Sequence, residues 1–382
     1  MKIAFICTEM LPVPPVLGGA IQIYIQGILP ILSKYHEITV FSVANDKLQS
    51  KEKKDNVTYI RVQRDNADEY INNVKNEITD EFDLIHVFNR PRWISILNEV
   101  LPNTPLSLSL HNEMLLPKKI EPKMALECID RVKFITTVSE FVADEVKSIY
   151  PTAKSKLNVV YSAVDSNKIK PFWSEDVVKD RINMRKEYGI ENSKVILYVG
   201  RLSKNKGPHV LFEAMKEVMN SHPNTVLMCV GSKWYGLNTP SNYTLLLQHM
   251  AKELKNPVIF TGFLTPDEIN KYYNMGDIFV CTSQWREPLA RVHYEAMSAG
   301  LPIITTARGG NAEVIEEGVN GFSIKEYDDP KAFEQNIKYL LDNENTAINM
   351  GKKGREFALE KYNWEITANK LLKIFSNYLE SK

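Results

Sequence analysis

Two carboxylates eight positions apart carry the strongest chemical signal in this sequence. Glu287 and Glu295 both belong to the stretch REPLARVHYEAMSAGLPIITT, residues 286–306. Because proline favours the first position of a helix, Pro288 predicts a helix that begins near it, with Glu287 at its mouth and Glu295 about two turns along a similar face. Carboxylates so placed can accept hydrogen bonds from sugar or ribose hydroxyls, while the helix N-terminus can face a phosphate. The number of matching features disfavours two chance acids on a surface helix.

Two cations follow another apolar run. In GRLSKNKG, residues 200–207, Arg201 carries a forked guanidinium and Lys206 a compact ammonium. Both precede a helical stretch, and this arrangement could hold a diphosphate. A solvated basic turn is the alternative, and the motif by itself slightly favours that turn.

A glycine pair and a histidine follow apolar runs nearer the start of the chain. Gly18 and Gly19 lie in PPVLGGA, where they let a ligand approach the backbone just before a helix N-terminus that favours an anion. His111 follows the run SLSL, at the carboxyl end of a predicted strand. A plain turn is an equal alternative for the glycines, and a lone histidine is more often structural.

A second glycine pair, Gly309 and Gly310, precedes Asn311 in RGGNAEVI and predicts a nest of backbone amides.

Several common catalytic patterns do not occur, namely Asp-x-Asp, HExxH, GxSxG and GxxxxGK[ST]. Metal-bridged phosphate sites, zinc hydrolases and P-loop enzymes therefore lose support, and we expect neither a metal nor another cofactor.

The composition is that of a soluble globular protein without a strongly charged module. The 382 residues include 47 Lys and Arg against 47 Asp and Glu, so electrostatic binding of nucleic acid has no general support. The four cysteines show no CxxC spacing, which favours buried, reduced thiols. The N-terminus is typical of a strand and not of a signal peptide, and no apolar run is long enough for a transmembrane helix, so we expect a cytoplasmic protein.

Alternating strands and helices must position the polar residues. Apolar runs typical of buried strands recur at 2–7, 37–43, 57–62, 84–88, 105–110 and 133–138, and again at 194–200, 225–231, 257–263, 277–283 and 301–307. Helical stretches separate most of these runs, the first of them at 20–34. Such alternation is typical of parallel sheets covered by helices on both faces.

The restart of the pattern predicts two doubly wound α/β domains, at 1–170 and 190–363. A polar linker is expected at about 162–190, and the helical stretch 364–382 is expected to complete the first domain. Ligands of such sheets bind beyond the carboxyl ends of the strands, so both domains can present loops to a central cleft.

Together these segments resemble the retaining, metal-independent glycosyltransferases of family four, over essentially the whole chain. The resemblance rests on Glu287-x7-Glu295 with EAMSAGLPII, on GRL…KG upstream and on GG after the first strand. LPVP…GGAIQIY, NRPRW, LHNEM, GSKWYG and QWREPLARVHYEAMSAGLPIIT extend the likeness to bacterial spore coat members of the family. The family's B-type fold implies two Rossmann-like domains, the first on the acceptor side and the second for the nucleotide-sugar donor.

The resemblance implies roles for the matching side chains. Arg201 and Lys206 would bind the donor diphosphate, and Glu295 would hold the nucleotide ribose. Glu287 would contact the hydroxyls of the donor sugar, and His111 would lie near the reacting carbon. The catalytic candidates are His111, Glu287, Arg201 and Lys206.

Backbone groups would complete the donor pocket. Gly18 and Gly19 would approach the diphosphate from the first domain. The other donor-binding candidates are Leu289, Ala290, Arg291, Gly309, Gly310 and Asn311. Many family members have glycine where Ala290 stands; Ala290 can offer its backbone N–H if its φ is negative, whereas a positive φ would cost about 1 kcal/mol. Arg291 would add a cation near the phosphate or face solvent.

The activity implied by the resemblance is sugar transfer from a nucleotide-diphosphate sugar with retention of configuration. The acceptor would attack the face that the diphosphate leaves, and a phosphate oxygen would take its proton. Arg201, Lys206 and helix amides would stabilise the leaving oxygen. The donor base and sugar stay open, as does the acceptor, a carbohydrate, lipid or protein, which variable loops such as 44–56 and 112–124 usually select.

Two alternatives remain. A structural coat protein that keeps the fold without the chemistry would be located in the spore coat with other coat proteins as partners, but the retained charged set argues against a dead site. A nucleotide-sugar epimerase on the same fold would need more acidic and histidine residues around the sugar, and His111 is the one candidate for such a residue.

Overall fold

The computed structural model describes residues 1–232 and 241–380. The chain forms two compact units. The first comprises residues 1–163 together with the chain from Trp364 onward, and the second comprises residues 164–363.

Two sheets form the centres of the two units. The strands are β1 Lys2–Ile6, β2 Glu37–Val43, β3 Lys51–Lys54, β4 Val57–Val62, β5 Leu84–Phe88, β6 Leu106–Leu110, β7 Val132–Thr137 and β8 Leu157–Val159 in the first unit, and β9 Lys194–Val199, β10 Thr225–Val230, β11 Val258–Phe260, β12 Ile278–Cys281, β13 Ile303–Thr306 and β14 Gly321–Ile324 in the second. Each strand predicted from the sequence is present, while β3, β8 and β14 were not predicted. These three are short, and β3 is a charged edge strand, KEKK, without an apolar pattern.

Helices cover the sheets. They are α1 Ala20–Leu32, α2 Ala67–Glu77, α3 Arg92–Val100, α4 Pro122–Arg131, α5 Glu140–Ile149, α6 Glu175–Glu187, α7 Pro208–Ser221, α8 Asn242–Lys252, α9 Pro266–Tyr273, α10 Val292–Ser298, α11 Pro330–Asp342, α12 Glu344–Glu360 and α13 Trp364–Glu380. No helix among the described residues is both long enough and apolar enough to cross a membrane.

The strand order shows where each sheet can bind a ligand. The first sheet runs β3-β4-β2-β1-β5-β6-β7-β8 and the second β11-β10-β9-β12-β13-β14, with all neighbours parallel except β3 and β4. The winding direction reverses between β1 and β5 and between β9 and β12, and ligands of doubly wound sheets bind beyond the carboxyl ends of the strands at such points. The expected fold class, two doubly wound Rossmann-like α/β domains, is confirmed.

The segment predicted as a linker belongs largely to the second unit, so that prediction is wrong. Its helix α6 is polar, yet its arginines Arg181 and Arg185 each donate to a different carboxylate oxygen of Asp277 at 2.7 Å. Asp277 also accepts the N–H of Val195 at 2.7 Å. Charge pairing, which an apolar pattern does not reveal, therefore holds this helix against the sheet.

Helix α13 packs on α1 in the first unit. A Cβ on Gly27 would lie 2.3 Å from the ring of Trp364, so the glycine permits the close approach of the two helices. The Trp364 ring also meets Tyr24 edge-on, with centroids 6.0 Å apart. Phe375, further along α13, is fully buried in the same core.

Two smaller sequence predictions complete the description. The cysteines Cys7, Cys128, Cys229 and Cys281 are all buried and none forms a disulfide, as expected for buried thiols. The motif GSKWYG begins at Gly231, but its residues 233–236 lie outside the described residues.

Candidate active site

Glu287 is the centre of a hydrogen-bonded cluster at the switch point of the second sheet. Its side chain is buried, and one carboxylate oxygen, Oε2, accepts three bonds. The donors are Lys206 Nζ at 2.5 Å, Trp285 Nε1 at 2.6 Å and Ser283 Oγ at 2.8 Å. Among the described residues no donor binds the other oxygen, Oε1. The structure thus joins two residues that the sequence singled out separately, Lys206 and Glu287.

The charge state of Glu287 follows from this cluster. Burial acts to raise the pKa of the carboxyl, but the Lys206 ammonium and the bonds from Lys206, Ser283 and Trp285 outweigh it and hold the pKa below its usual value of 4.5. Glu287 is therefore a carboxylate at neutral pH. Ser283 and Trp285 were not among the predicted site residues; both lie within four positions of Glu287, so proximity in sequence was the available signal.

The loop after β9 delivers Lys206 to this place. Gly207 follows it with φ +65°, and a Cβ there would lie 2.1 Å from the carbonyl oxygen of Thr282. The Thr282 hydroxyl donates to the Gly207 carbonyl at 2.8 Å, and the Gln284 N–H donates to the Asn205 carbonyl at 2.8 Å. Since β9 and β12 are neighbours, their following loops lie side by side and are bonded together.

The predicted glycine nest holds the backbone of Glu287. Gly309 has φ +75°, and a Cβ there would lie 2.2 Å from the Glu287 carbonyl oxygen. The N–H of Gly310 donates to this carbonyl at 2.7 Å. Asn311 is fully buried, and its Oδ1 accepts the N–H of Ala290 at 3.0 Å. The N–H groups of Gly310 and Ala290 are thus engaged within the protein, and the nest shapes the loop that carries Glu287.

The helix before Glu295 begins later than predicted. Helix α10 starts at Val292 and not near Pro288, so Glu295 lies in its first turn, not two turns along. The Ala290 carbonyl accepts the N–H of His293, three residues on, at 3.2 Å, together with His293 Nδ1 at 2.8 Å, and the Ala290 N–H donates to Asn311. The bond from the Glu295 N–H to the Arg291 carbonyl spans four residues, as in a regular helix, whereas the bond to the Ala290 carbonyl spans three.

Ala290 does not strain the loop. Among the described residues other than glycine, positive φ occurs only at Asp55 and Asn89, so the cost considered for a left-handed alanine does not arise. The N–H that Ala290 was expected to offer a ligand is bonded to Asn311 instead. Leu289 beside it is buried.

Glu295 is held by two side chains. Its Oε2 accepts from the Tyr273 hydroxyl at 2.7 Å, and its Oε1 accepts from Arg291 at 3.3 Å. Arg291 is therefore an ion-pair partner with its side chain mostly buried, not a solvent-facing cation. Tyr273 comes from α9 and was not predicted; burial, followed by the nearby Glu295 charge, raises its pKa well above 10.

His293 holds the loop that contains Ala290. It is fully buried, its Nδ1–H donates to the Ala290 carbonyl, and its Nε2 accepts from the Thr305 hydroxyl at 2.8 Å. Burial lowers its pKa to about 4, against the smaller opposite effect of the Ala290 bond, so the ring is neutral at pH 7. The sequence held no signal for this role.

Arg201 lies in the loop after β9, five positions before Lys206. It is partly buried, and its carbonyl accepts from the Tyr198 hydroxyl at 3.0 Å.

The described residues contain no group of three or more His, Cys, Asp or Glu side chains placed to hold a metal ion.

The remaining predicted residues lie in the first unit. Gly18 and Gly19 have φ +92° and +102°, and α1 begins directly after them, at the end of the loop that follows β1. His111 follows β6; its N–H donates to Asn89 Oδ1 at 3.0 Å, and its ring meets the Tyr24 ring edge-on at 4.9 Å. Both positions lie beyond carboxyl ends of the strands, as predicted.

An ion pair beside these residues was not predicted. Arg90, after β5, donates to both carboxylate oxygens of Glu9 at 2.6 and 2.8 Å, and Glu9 follows β1. The Arg90 guanidinium also lies over the Trp93 ring, 5.7 Å from its centroid. Two-point pairing is the strongest geometry for such a bond, so it fixes the two loops to each other.

Comparison with known proteins identifies two family models along the chain. Residues 31–168 match the model for Glycosyltransferase Family 4, and residues 180–357 match that for Glycosyl transferases group 1. Among curated proteins, spore coat protein SA of Bacillus subtilis is 44% identical over 98% of this chain and 99% of its own. The putative glycosyltransferase YtcC of the same organism is 42% identical over 100% of this chain and 93% of its own.

Solved structures show the same fold. Anabaena Alr3699/HepE, crystallised with UDP-glucose, superposes with a TM-score of 0.79 at 21% identity and covers 99% of this chain and 100% of its own. Sucrose-phosphate synthase of Thermosynechococcus elongatus superposes with a TM-score of 0.80 at 18% identity, over the full length of both chains. At these identities the likeness concerns the fold alone.

Proposed function

This chain belongs to glycosyltransferase family 4 and is a glycosyltransferase that uses a nucleotide-sugar donor, and from that premise we propose that it transfers the sugar to a hydroxyl-bearing acceptor with retention of configuration and without a metal ion. The observation that carries the proposal is the Glu287 cluster. A buried carboxylate is ionised, three donors bind one of its oxygens, and the other oxygen is left for a ligand. Hydroxyl groups of a sugar are suitable donors to that oxygen.

Lys206 supports a role in handling the leaving group. An ammonium has three protons, and the bond to Glu287 Oε2 uses one of them. As the bond between sugar and diphosphate breaks, negative charge grows on the leaving oxygen, and a preorganised cation stabilises it where water is excluded. Lys206, already oriented by Glu287, and Arg201 on the same loop are the groups we assign to this task in place of a metal ion.

Glu295 supports nucleotide binding. Its carboxylate lies at the start of α10, and Tyr273 and Arg291 fix both oxygens. Each oxygen has more than one lone pair, so ribose hydroxyls can still donate to it. We therefore assign Glu295 to the ribose and Glu287 to the sugar.

Retention requires that the acceptor approach the face from which the diphosphate leaves. In the proposed reaction, the acceptor oxygen bonds to the anomeric carbon, the bond to the diphosphate oxygen breaks, and a phosphate oxygen takes the acceptor proton. Glu287 orients the sugar through its hydroxyls and forms no covalent bond. His111, in the first unit, is assigned to the donor sugar.

A ligand-stabilisation experiment tests the donor. UDP, GDP and ADP, each with and without a chelator, are added to the whole chain, and the melting temperature is measured. A nucleotide at about 100 times its dissociation constant adds about 2.7 kcal/mol of stability. We expect one nucleotide to stabilise the chain equally with chelator present; UDP is the first to try, because Anabaena Alr3699/HepE was crystallised with UDP-glucose.

A pair of lysines provides the matched control. Lys204 and Lys206 lie in the same 3₁₀ turn, but Lys204 is exposed and Lys206 binds Glu287. Lys206→Ala should abolish most of the stabilisation, and Lys204→Ala should keep it. Equal losses in both variants, or no stabilisation by any nucleotide in the wild type, would refute the proposal. Loss on chelation would refute metal independence alone.

Retention is tested on the product. Once a donor is identified, the anomeric proton of the transferred sugar is followed by NMR during turnover. The initial product should have the configuration of the donor, and an inverted initial product would overturn the assigned stereochemistry.

A structural role in a spore coat is the second candidate, favoured by the name of the relative at 44% identity. In that case other coat proteins would be its partners. A Glu287→Gln variant distinguishes the two roles. If the role is purely structural, this variant should associate with isolated coat material as well as the wild type does, and the wild type should show no transferase activity.

A further inference from the structure

Two hydroxyl groups in the first unit form a chain of hydrogen bonds that ends at the ring of His111. Ser109 Oγ lies 3.1 Å from His111 Nε2, and the Thr136 hydroxyl donates to Ser109 Oγ at 3.0 Å. Ser109 and Thr136 are buried and stand opposite each other on β6 and β7. Facing positions on neighbouring strands bring side chains into contact, so the sheet itself builds this relay.

Counting protons along the relay determines the state of the ring. The Thr136 proton occupies one acceptor position of Ser109 Oγ, and Ser109 has a single proton to donate. Among the described residues, Nε2 of His111 is the acceptor that this proton can reach. A ring nitrogen that accepts carries no proton, so the neutral imidazole holds its proton on Nδ1.

The backbone fixes the ring relative to the relay. Asn89 has the left-handed φ of +57° and lies at the end of β5. Its N–H donates to the Ser109 carbonyl at 2.7 Å, and its Oδ1 accepts the His111 N–H at 3.0 Å. Tyr24 packs edge-on against the imidazole. The ring therefore has little freedom to turn away from Ser109.

We infer that Ser109 and Thr136 are positioning residues that hold His111 as its Nδ1–H tautomer. In this state Nε2 is occupied by Ser109, so His111 serves as a hydrogen-bond donor through Nδ1 and not as a base that takes the acceptor proton. The contact between Nδ1–H and the donor sugar rests on the proposed function. The tautomer itself does not.

Ring nitrogen NMR on the whole chain tests the tautomer directly. Histidine is labelled with ¹⁵N, spectra that correlate ring protons with ring nitrogens are recorded at about pH 8, and the His111 signals are identified by their absence in His111→Gln. Wild type should show a protonated Nδ1 and an unprotonated Nε2. Ser109→Ala should shift the proton toward Nε2. A protonated Nε2 in the wild type, or an unchanged tautomer in Ser109→Ala, overturns the inference.

The same strand supplies a matched control. Ser107 is also buried on β6, and its Oγ lies 2.8 Å from Nδ1 of a different histidine, His86. Ser107→Ala should change the His86 signals and leave those of His111 in place. Equal movement of the His111 signals in both serine variants would indicate a general disturbance of the strand and refute the relay.

Threonine variants test the second member. Thr136→Ser keeps the hydroxyl and should retain the wild-type tautomer, whereas Thr136→Val keeps the shape, loses the donor and should give a mixture. If Ser109→Ala does not fold, this pair decides the matter: identical wild-type spectra from both threonine variants would remove Thr136 from the relay and with it the argument for the tautomer.

Kinetics then connect the tautomer to turnover. With an identified donor, Ser109→Ala should lower kcat about tenfold, the loss expected for one misdirected hydrogen bond, while the donor KM stays within about twofold. An unchanged kcat together with a shifted tautomer would refute the donor role of Nδ1–H. Absence of any transferase activity in the wild type would refute the proposed function and leave the NMR result intact.

Discussion

Removal of Lys206 is the sharpest test of the Glu287 cluster. The two charged atoms are 2.5 Å apart, and both side chains are largely buried, with 18% and 8% of their surfaces exposed. At an effective dielectric constant of about 20, charges at this distance attract by about 7 kcal/mol, a sum that desolvation of both groups largely offsets. Removing one partner leaves the other buried and unpaired, which typically costs about 3–5 kcal/mol.

We expect Lys206→Met to lower the free energy of unfolding of the second unit by about 3 kcal/mol, at the low end of that range. The reason is that Ser283 and Trp285 still donate to the Glu287 carboxylate. The double variant Lys206→Met/Glu287→Gln contains no unpaired charge. It should therefore be about 2 kcal/mol more stable than the sum of the two single losses predicts.

The cost should also depend on pH. The native pKa of Glu287 is lowered, so its contribution to stability is present above the usual value of 4.5 and is lost as the pH falls through the native pKa. The difference between wild type and Lys206→Met should thus be largest at neutral pH and shrink in acid.

Native-state hydrogen exchange is the suitable assay, because a single melting curve would mix the transitions of two units. Amides of β9 and β12 report on the second unit, since Lys206 and Glu287 follow these strands. Single losses that add without interaction, or a loss that is the same at pH 7 and about pH 4, would refute the assignment of a coupled, buried pair.

Three further outcomes follow from the structure. Tyr273→Phe should weaken binding of the identified nucleotide about tenfold by isothermal titration, because Glu295 loses a bond to a charged oxygen; unchanged affinity would exclude Glu295 from the nucleotide site. Gly309→Ala should greatly reduce kcat, since its Cβ would displace the Glu287 carbonyl, whereas Gly318→Ala, with a similar φ of +75° and nothing within 4 Å, should cost about 1 kcal/mol of stability and leave kcat intact. The thiols should react with a thiol reagent only on unfolding, since burial raises the pKa of Cys7 to about 12; fast reaction of the native chain would contradict their burial.

The sequence by itself determined the class of the fold and singled out Lys206 and Glu287, which the structure joins. Buried strands of parallel sheets are continuous apolar runs separated by helical patterns, and these local patterns can be recognised without knowledge of the fold. Glycine pairs that follow strands are also visible in the sequence, and one of them includes Gly309, which adopts a positive φ. The spacing of Glu287 and Glu295 was likewise visible in one continuous stretch.

Only the tertiary structure decided which of these groups meet. Lys206 and Glu287 are 81 residues apart, and they bond because β9 and β12 are neighbours in the sheet, a strand order that equally apolar runs do not encode. The loop before α10 is held in a similar way, since Asn311, from another loop, accepts the N–H of Ala290. Periodicity reports the conformation of a segment, whereas hydrogen bonds between segments depend on strand order and exact approach, and those are properties of the folded chain.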